Sequence, residues 1–299
     1  MNTTPESLPS RALVLGGGGS AGNAWLIGVI AGLSDGGLDV TNADLVIGTS
    51  AGATAAAQIA GAGLTDLLAA ILDATPPPIR SEPARPDRRT AMWMNHLERT
   101  NAIIADSADL ADMRRRAGAD ALELAAAAGD EGNERWRDTV RARLSGVHWP
   151  DRHTLLTAVD ADTGEPVGFD RDSGVDLVDA VAASCAGGPA YRIGERHYID
   201  GGYRRSSENA DLAGGYERVL VLSPLGGRTR HPTAWRSDLA AQVDELRAGG
   251  SSVEAILPDV DSLAAFGDNM MSLATRAPAA RAGHAQGRRL AGRFVDLWT

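Results

Sequence analysis

Ser50 stands in the run Gly48-Thr49-Ser50-Ala51-Gly52. Glycine two positions to either side and alanine at 51 suit a turn so tight that only small residues fit beside the serine. Such a turn lifts Oγ clear of the backbone. It also places that oxygen at a helix N-terminus, where amide N–H groups and the helix dipole favour a developing anion. Leu45, Val46 and Ile47 precede the turn as a short apolar run that reads as a buried strand, and the Ala-rich run from Ala53 to Ala62 reads as a helix. Strand, Gly-x-Ser-x-Gly and helix together describe a nucleophile elbow. The plainer alternative is a strand-to-helix turn in which Ser50 merely caps the helix.

An activated serine needs a base, and the carbonyl it attacks needs an oxyanion hole. The glycine run 16–19 suits the second role, because consecutive glycines let backbone N–H groups converge without side-chain obstruction. The same stretch spells G-x-G-x-x-G at Gly17, Gly19 and Gly22, with Asp39 where a ribose-binding acid is expected, so a dinucleotide site is the competing reading. For the base there are six histidines: His96, His148, His153, His197, His231 and His284. Only His231 follows a strand in the order an ordinary Ser-His-Asp α/β-hydrolase requires. Asp200 is the other candidate. It ends an apolar strand, and Gly201 and Gly202 after it allow close backbone approach; an Asp-Gly-Gly hairpin turn is the plain alternative.

The elements that must position these residues can be read in order. Arg11 to Leu15 is a strand that runs into the glycine loop, and Asn23 to Leu33 follows with helical spacing. The elbow strand and helix come next, so β-α-β-α argues for a largely parallel sheet. Ligands then bind at the carboxyl ends of the strands, where both the glycine loop and the elbow lie. Leu64 to Leu72 is amphipathic, and prolines 76–78, 83 and 86 break the pattern. From about 76 to 150 the chain is Arg- and Ala-rich with helical periodicity and no evident strand, which reads as a helical insertion. Strands resume at Thr154–Val159, near Val167–Phe169, at Arg192–Ile199 and at Arg218–Leu222. Val253–Leu257 is a late strand, Trp235–Arg247 is helical, and about 268–297 is a mostly helical tail in which Met270 and Met271 are expected to pack on the sheet.

Bulk properties exclude several classes. The 299 residues carry a formal charge of -10, which disfavours a nucleic-acid surface. Cys185 is the single cysteine, so an intrachain disulfide or Cys-based zinc site is excluded, and it reads as a small buried hydrophobe. There is no lysine: all 29 basic residues are arginine, which excludes Schiff-base chemistry and a P-loop lysine. Residues 1–10 are polar and read as a disordered terminus without a signal peptide. No window reaches membrane-span length, so a cytoplasmic location is the expectation. Met92-Trp93-Met94 and the arginines at 80, 85, 88, 89 and 114–116 could touch a lipid surface; core packing and a solvated helix are the plain readings.

Three motifs in order resemble the patatin-like phospholipases: Gly17-Gly18-Gly19-Ser20-Ala21-Gly22, the Gly48–Gly52 elbow, and Asp200-Gly201-Gly202. Leu13-Val14-Leu15, Ile27-Gly28-Val29 and Ala182-Ala183-Ser184-Cys185-Ala186 add to the likeness, which spans most of 11–224. The resemblance implies a three-layer α/β/α sandwich with a mostly parallel central sheet, as one domain over 11–299. It implies a lipid acyl hydrolase with Ser50 as nucleophile and Asp200 as general base, without histidine. The amides of Gly17, Gly18, Gly19 and Ala51 then bind the oxyanion, and Gly22, Gly48, Gly52, Gly201 and Gly202 support the turns. Its partner is a lipid or other acyl ester, with transient membrane contact and no nucleic acid. No cofactor is implied, and no calcium-loop spacing occurs. One position departs: the family usually has arginine or lysine where this chain has Ala21. A cation there must come from elsewhere, with Arg204 or Arg205 as candidates, and a non-catalytic acyl- or nucleotide-binding module is the alternative that Ala21 favours.

Overall fold

Strand β1 (Arg11–Leu15) lies at the centre of an eight-stranded sheet. Its neighbours, β2 (Leu45–Gly48) and β7 (Arg218–Leu222), both run parallel to it. Beyond β7 lies β8 (Ser252–Ile256), and beyond β2 lies β3 (His153–Asp160), again in parallel. At the β3 side the sheet turns antiparallel through β4 (Pro166–Phe169), β5 (Tyr191–Ile193) and β6 (Arg196–Asp200). The computed structural model describes residues 10–74 and 88–298, with side chains of the second stretch from 96 onward. The expected disorder of residues 1–9 and the proline break at 76–86 lie outside the described residues, as do the side chains of Met92, Trp93 and Met94. Ser10 is held, because its carbonyl accepts the Arg218 amide at 3.1 Å.

The strand pleat sorts the apolar residues into two faces. Leu13 and Leu15 of β1 face one helical layer: α1 (Gly19–Asp35), α2 (Ala51–Gly61), α3 (Leu64–Asp73), α6 (Leu177–Ser184) and α9 (Arg276–Trp298). Ala12 and Val14 face the other layer, where α7 (Leu239–Ala248) packs with the short turn Ala210–Ala213. This is the three-layer α/β/α arrangement, with a sheet that is mostly parallel. In the insertion, α4 (Arg88–Ala105) and α5 (Leu110–Arg141) are helical, and α5 breaks at Gly129, whose φ is 63°. Ile104, Met113, Ala117 and Ala121 bury against Val159 and Ile199, so these helices cap the antiparallel wing of the same sheet. One short helix, α8 (Val260–Phe266), falls where the sequence pattern gave no element.

Helices α1 and α9 approach unusually closely. A Cβ on Gly28 would sit 2.2 Å from the Ala280 carbonyl oxygen, and one on Gly32 2.1 Å from that of His284. From the other side, a Cβ on Gly287 would lie 2.3 Å from the Val29 oxygen. Backbone meets backbone there, and the interface fixes the start of α9 beside the start of α1.

Candidate active site

The elbow forms between β2 and α2. Ser50 has φ 54° and ψ −113°, a region that non-glycine residues avoid and that costs about 1–3 kcal/mol. The neighbours hold it there. A Cβ on Gly52 would lie 1.8 Å from the Leu15 carbonyl oxygen, and one on Gly48 2.7 Å from Ala53 Cα, so both glycines are sterically required. The Ser50 amide donates to Ser184 Oγ at 3.0 Å. The Ser50 side chain makes no capping bond to α2, which sets aside the plain N-cap reading.

The Ser50 hydroxyl instead lies near enough to the Asp200 carboxylate to favour its charged form. Asp200 ends β6, and its Oδ1 accepts the Gly202 amide at 2.8 Å. Desolvation pushes its pKa up to about 6, against the opposing pull of the Gly202 and Ser50 hydrogen bonds. A base poised near neutrality suits proton abstraction from a hydroxyl. The turn after Asp200 is locked from below: a Cβ on Gly201 would lie 2.1 Å from Thr157 Oγ1.

A buried polar knot joins the two halves. Thr49 Oγ1 and Thr157 Oγ1 are 2.8 Å apart, and Asn209 Nδ2 donates to Thr49 Oγ1 at 3.1 Å and to the Gly201 carbonyl at 2.9 Å. All three side chains are fully buried. The sequence reading missed them, as it missed Ser184, because nothing local marks a threonine or asparagine as the partner of a distant turn.

The glycine loop follows β1 and runs past Ser50; a Cβ on Gly17 would lie 3.5 Å from Ser50 Cβ. Gly17 must be corrected as an oxyanion donor, because its amide is already committed to the Ser207 carbonyl at 2.8 Å. The amides of Gly18, Gly19 and Ala51 have no partner among the described residues. Each lies at the start of a helix, where amides lack intrahelical acceptors. Pro224 packs over the loop, so that Cβ atoms on Gly18 or Gly22 would lie 2.6 Å or 3.1 Å from its own Cβ. Met270 packs against the core cluster that includes Leu13 and Leu15, as expected, whereas Met271 is exposed. The Met270 carbonyl accepts the Ala21 amide at 2.8 Å, and Met271 Sδ would lie 2.6 Å from a Cβ on Gly19. Pro224, Met270 and Met271 thus crowd the loop at Gly18, Gly19 and Gly22, and Asp39 binds its own Thr41.

Other candidates fall elsewhere. His231 bonds Ser237 Oγ at 2.9 Å, and burial together with Arg230 lowers its pKa to about 4. Its hydrogen bonds involve neither Ser50 nor Asp200. Arg204 forks onto Asp211 at 2.9 Å through both Nη atoms, and Arg205 pairs with Glu245 at 2.7 Å. Neither arginine is free to serve the oxyanion region, a correction explained by these carboxylates. Cys185 is tucked under the elbow with its thiol donating to the Ser50 carbonyl at 3.1 Å, and burial raises its pKa to about 12. Arg115 and Arg116 pair with Asp112 on the outside of α5, whereas Arg114 donates to the Gly164 and Arg204 carbonyls. Among the described residues no three His, Cys, Asp or Glu side chains cluster as a metal site requires.

The elbow serine, Asp200 and the helix-start amides of Gly18, Gly19 and Ala51 all stand at ends of strands of one sheet. The chain belongs to the patatin-like phospholipase family, whose model matches residues 13–213. Among solved structures, VipD from Legionella pneumophila is 16% identical, with 96% of this chain and 67% of that chain covered and a TM-score of 0.43. The type III effector protein ExoU is 18% identical, with 94% and 53% covered and a TM-score of 0.34. No curated protein matches the sequence. No helix among the described residues is long and apolar enough to cross a membrane.

Proposed function

We propose that this protein is a serine lipid acyl hydrolase of phospholipase A, lysophospholipase or esterase type, working through Ser50 and Asp200. The observation that carries this reading is the strained elbow serine, φ 54°, facing a carboxylate that the Gly202 amide fixes and that desolvation pushes up to a pKa of about 6. Ser50 Oγ attacks the ester carbonyl carbon as its proton passes to Asp200. The oxyanion that forms is met by the amides of Gly18, Gly19 and Ala51. Asp200 then gives the proton to the departing alcohol, which leaves an acyl-Ser50. Water attacks the acyl carbon while Asp200 takes its proton, and the returning proton restores the Ser50 hydroxyl as the fatty acid departs.

The proposed substrate is a lipid ester presented at a lipid surface. Met271, which lies against Gly19 of the loop, is exposed, as is Leu273 two residues further on. Exposed apolar side chains grouped at the rim of a site suit an apolar partner. A fluorophosphonate probe tests the reading. It should label wild-type protein at Ser50 and leave folded Ser50→Ala and Asp200→Asn unlabelled, while His231→Ala labels as wild type does. Equal labelling of Asp200→Asn would overturn the dyad.

A further inference from the structure

Arg276, the first residue of α9, is a largely buried arginine without a carboxylate within ion-pairing distance among the described residues. Its guanidinium donates only to neutral acceptors. Nη1 reaches the Ser20 carbonyl at 3.1 Å and Asn23 Oδ1 at 3.1 Å, with Ser20 Oγ at 3.5 Å, and Nη2 reaches Asn23 Oδ1 at 3.2 Å. Ser20 directly follows Gly18 and Gly19, and Asn23 lies about one turn further along α1. Asn23 then passes the connection to the elbow helix, with Nδ2 donating to Gln58 Oε1 at 2.9 Å and to the Ala51 carbonyl at 3.4 Å. Gln58 continues it to the Arg143 carbonyl at 2.9 Å.

This placement is unfavourable for stability alone. The N-terminal end of a helix already carries partial positive charge. Burying a cation there without a counter-ion costs free energy that neutral acceptors only partly return. Desolvation, then the charge of Arg143, lower the Arg276 pKa, so the strain is visible in its proton affinity. A preorganised positive potential is useful where negative charge develops during reaction. The amides of Gly18, Gly19 and Ala51 stand at that end of α1 and α2. Position 21, inside the loop, holds a fully buried alanine. Arg276 lies beyond the family-matched residues 13–213, in a helix that the close α1–α9 glycine packing fixes against this turn.

We propose that Arg276 is a positioning residue for the oxyanion amides. It pins Ser20 and Asn23, locks the glycine-loop helix to the elbow helix, and adds positive charge at the end where the oxyanion forms. The proposal rests on the hydrolase reading above.

The test compares wild type, Arg276→Met and Arg276→Lys on a soluble p-nitrophenyl ester. Arg276→Met should lower kcat about 10- to 100-fold with KM within about threefold, since the effect is on the transition state and not on substrate binding. Arg276→Lys keeps the charge but loses the planar fork and should fall between. The acidic limb of the pH–rate profile should keep its midpoint in both variants, because the Asp200 carboxylate does not touch Arg276. Millimolar guanidinium should restore activity to Arg276→Ala and not to Ser50→Ala. If Arg276→Met does not fold, Asn23→Asp serves instead: it keeps an acceptor toward Arg276, offsets its charge and gives up the Nδ2 donations to the elbow helix, and kcat should again fall. A folded Arg276→Met or Asn23→Asp with wild-type kcat overturns this inference alone. A wild-type protein that hydrolyses no ester, or a fully active Ser50→Ala, overturns the hydrolase reading instead.

Discussion

The two glycine-bearing turns that flank Ser50 are held in different ways. The Asp200-Gly201-Gly202 turn is braced from within the family-matched residues. Thr157 lies under Gly201, and Asn209 ties Gly201 to Thr49 of the elbow. The loop from Gly16 to Gly22 is gripped largely from outside them: by Pro224, by Met270 and Met271, and by Arg276. From within that span the Ser207 carbonyl accepts the Gly17 amide, and Gly52 packs against the Gly16 carbonyl. The Asp200 turn is thus tied to β3 and to the elbow. The oxyanion side depends on where the C-terminal third of the chain settles, so changes there can tune activity without touching the dyad.

The largest effects should come from the dyad. Asp200→Asn should lower kcat by about 10⁴-fold, as loss of a catalytic base does, measured on the same soluble ester. It should also raise stability at pH 7. A carboxyl whose folded pKa is raised from 3.8 to about 6 binds protons more tightly when folded, so native stability declines as pH rises through that window. Asparagine carries no such penalty, and thermal unfolding at pH 5 and pH 8 will show the wild-type difference that the variant lacks. Ser50→Gly should likewise be inactive yet more stable, by about 1 kcal/mol, because glycine accepts the positive φ.

The comparison sharpens with Gly18→Ala. The new methyl meets Pro224 Cβ at 2.6 Å, so the loop must shift, and kcat should drop about 10²-fold as when one oxyanion donor is misplaced. Adding Pro224→Gly should restore part of it. No recovery in the double variant would mean that Pro224 does not hold the loop. On the base side, Asn209→Ala leaves the buried Thr49 hydroxyl and Gly201 carbonyl short of a donor. It should cost about 1–3 kcal/mol in denaturant unfolding together with activity. The smallest effect belongs to Arg205→Met: with Arg205 bound to Glu245 and the Arg236 carbonyl, kcat should stay within about twofold.

Much of this site was legible in the sequence because its parts are local. The Gly-x-Ser-x-Gly turn, the glycine run and Asp-Gly-Gly each announce a steric demand in a few residues, and the alternation of strand and helix pointed to a largely parallel sheet, though not to its strand order. What joins the parts was not legible. Ser184, Thr157 and Asn209 act across more than 50 residues of chain. Arg276 contacts Asn23 across 253 positions. A weak signal for that link existed: Asn23 and Gln58 are polar residues in otherwise apolar, Ala- and Gly-rich helices, and buried polar groups need partners. The spacing of Gly28, Gly32 and Gly36 against Gly283 and Gly287 equally pointed to a close helix pair. Gly17 was misassigned because a glycine run shows where amides can converge, not which of them the fold has already used.

The most direct measurement is the rate at which a fluorophosphonate modifies Ser50 as a function of pH. The rate should rise through a single ionisation with a midpoint near 6, set by the buried Asp200 carboxylate, and Asp200→Asn should be slow and flat across the range. A wild-type profile without that ionisation, or one that Asp200→Asn leaves unchanged, would contradict the assignment of Asp200 as the base.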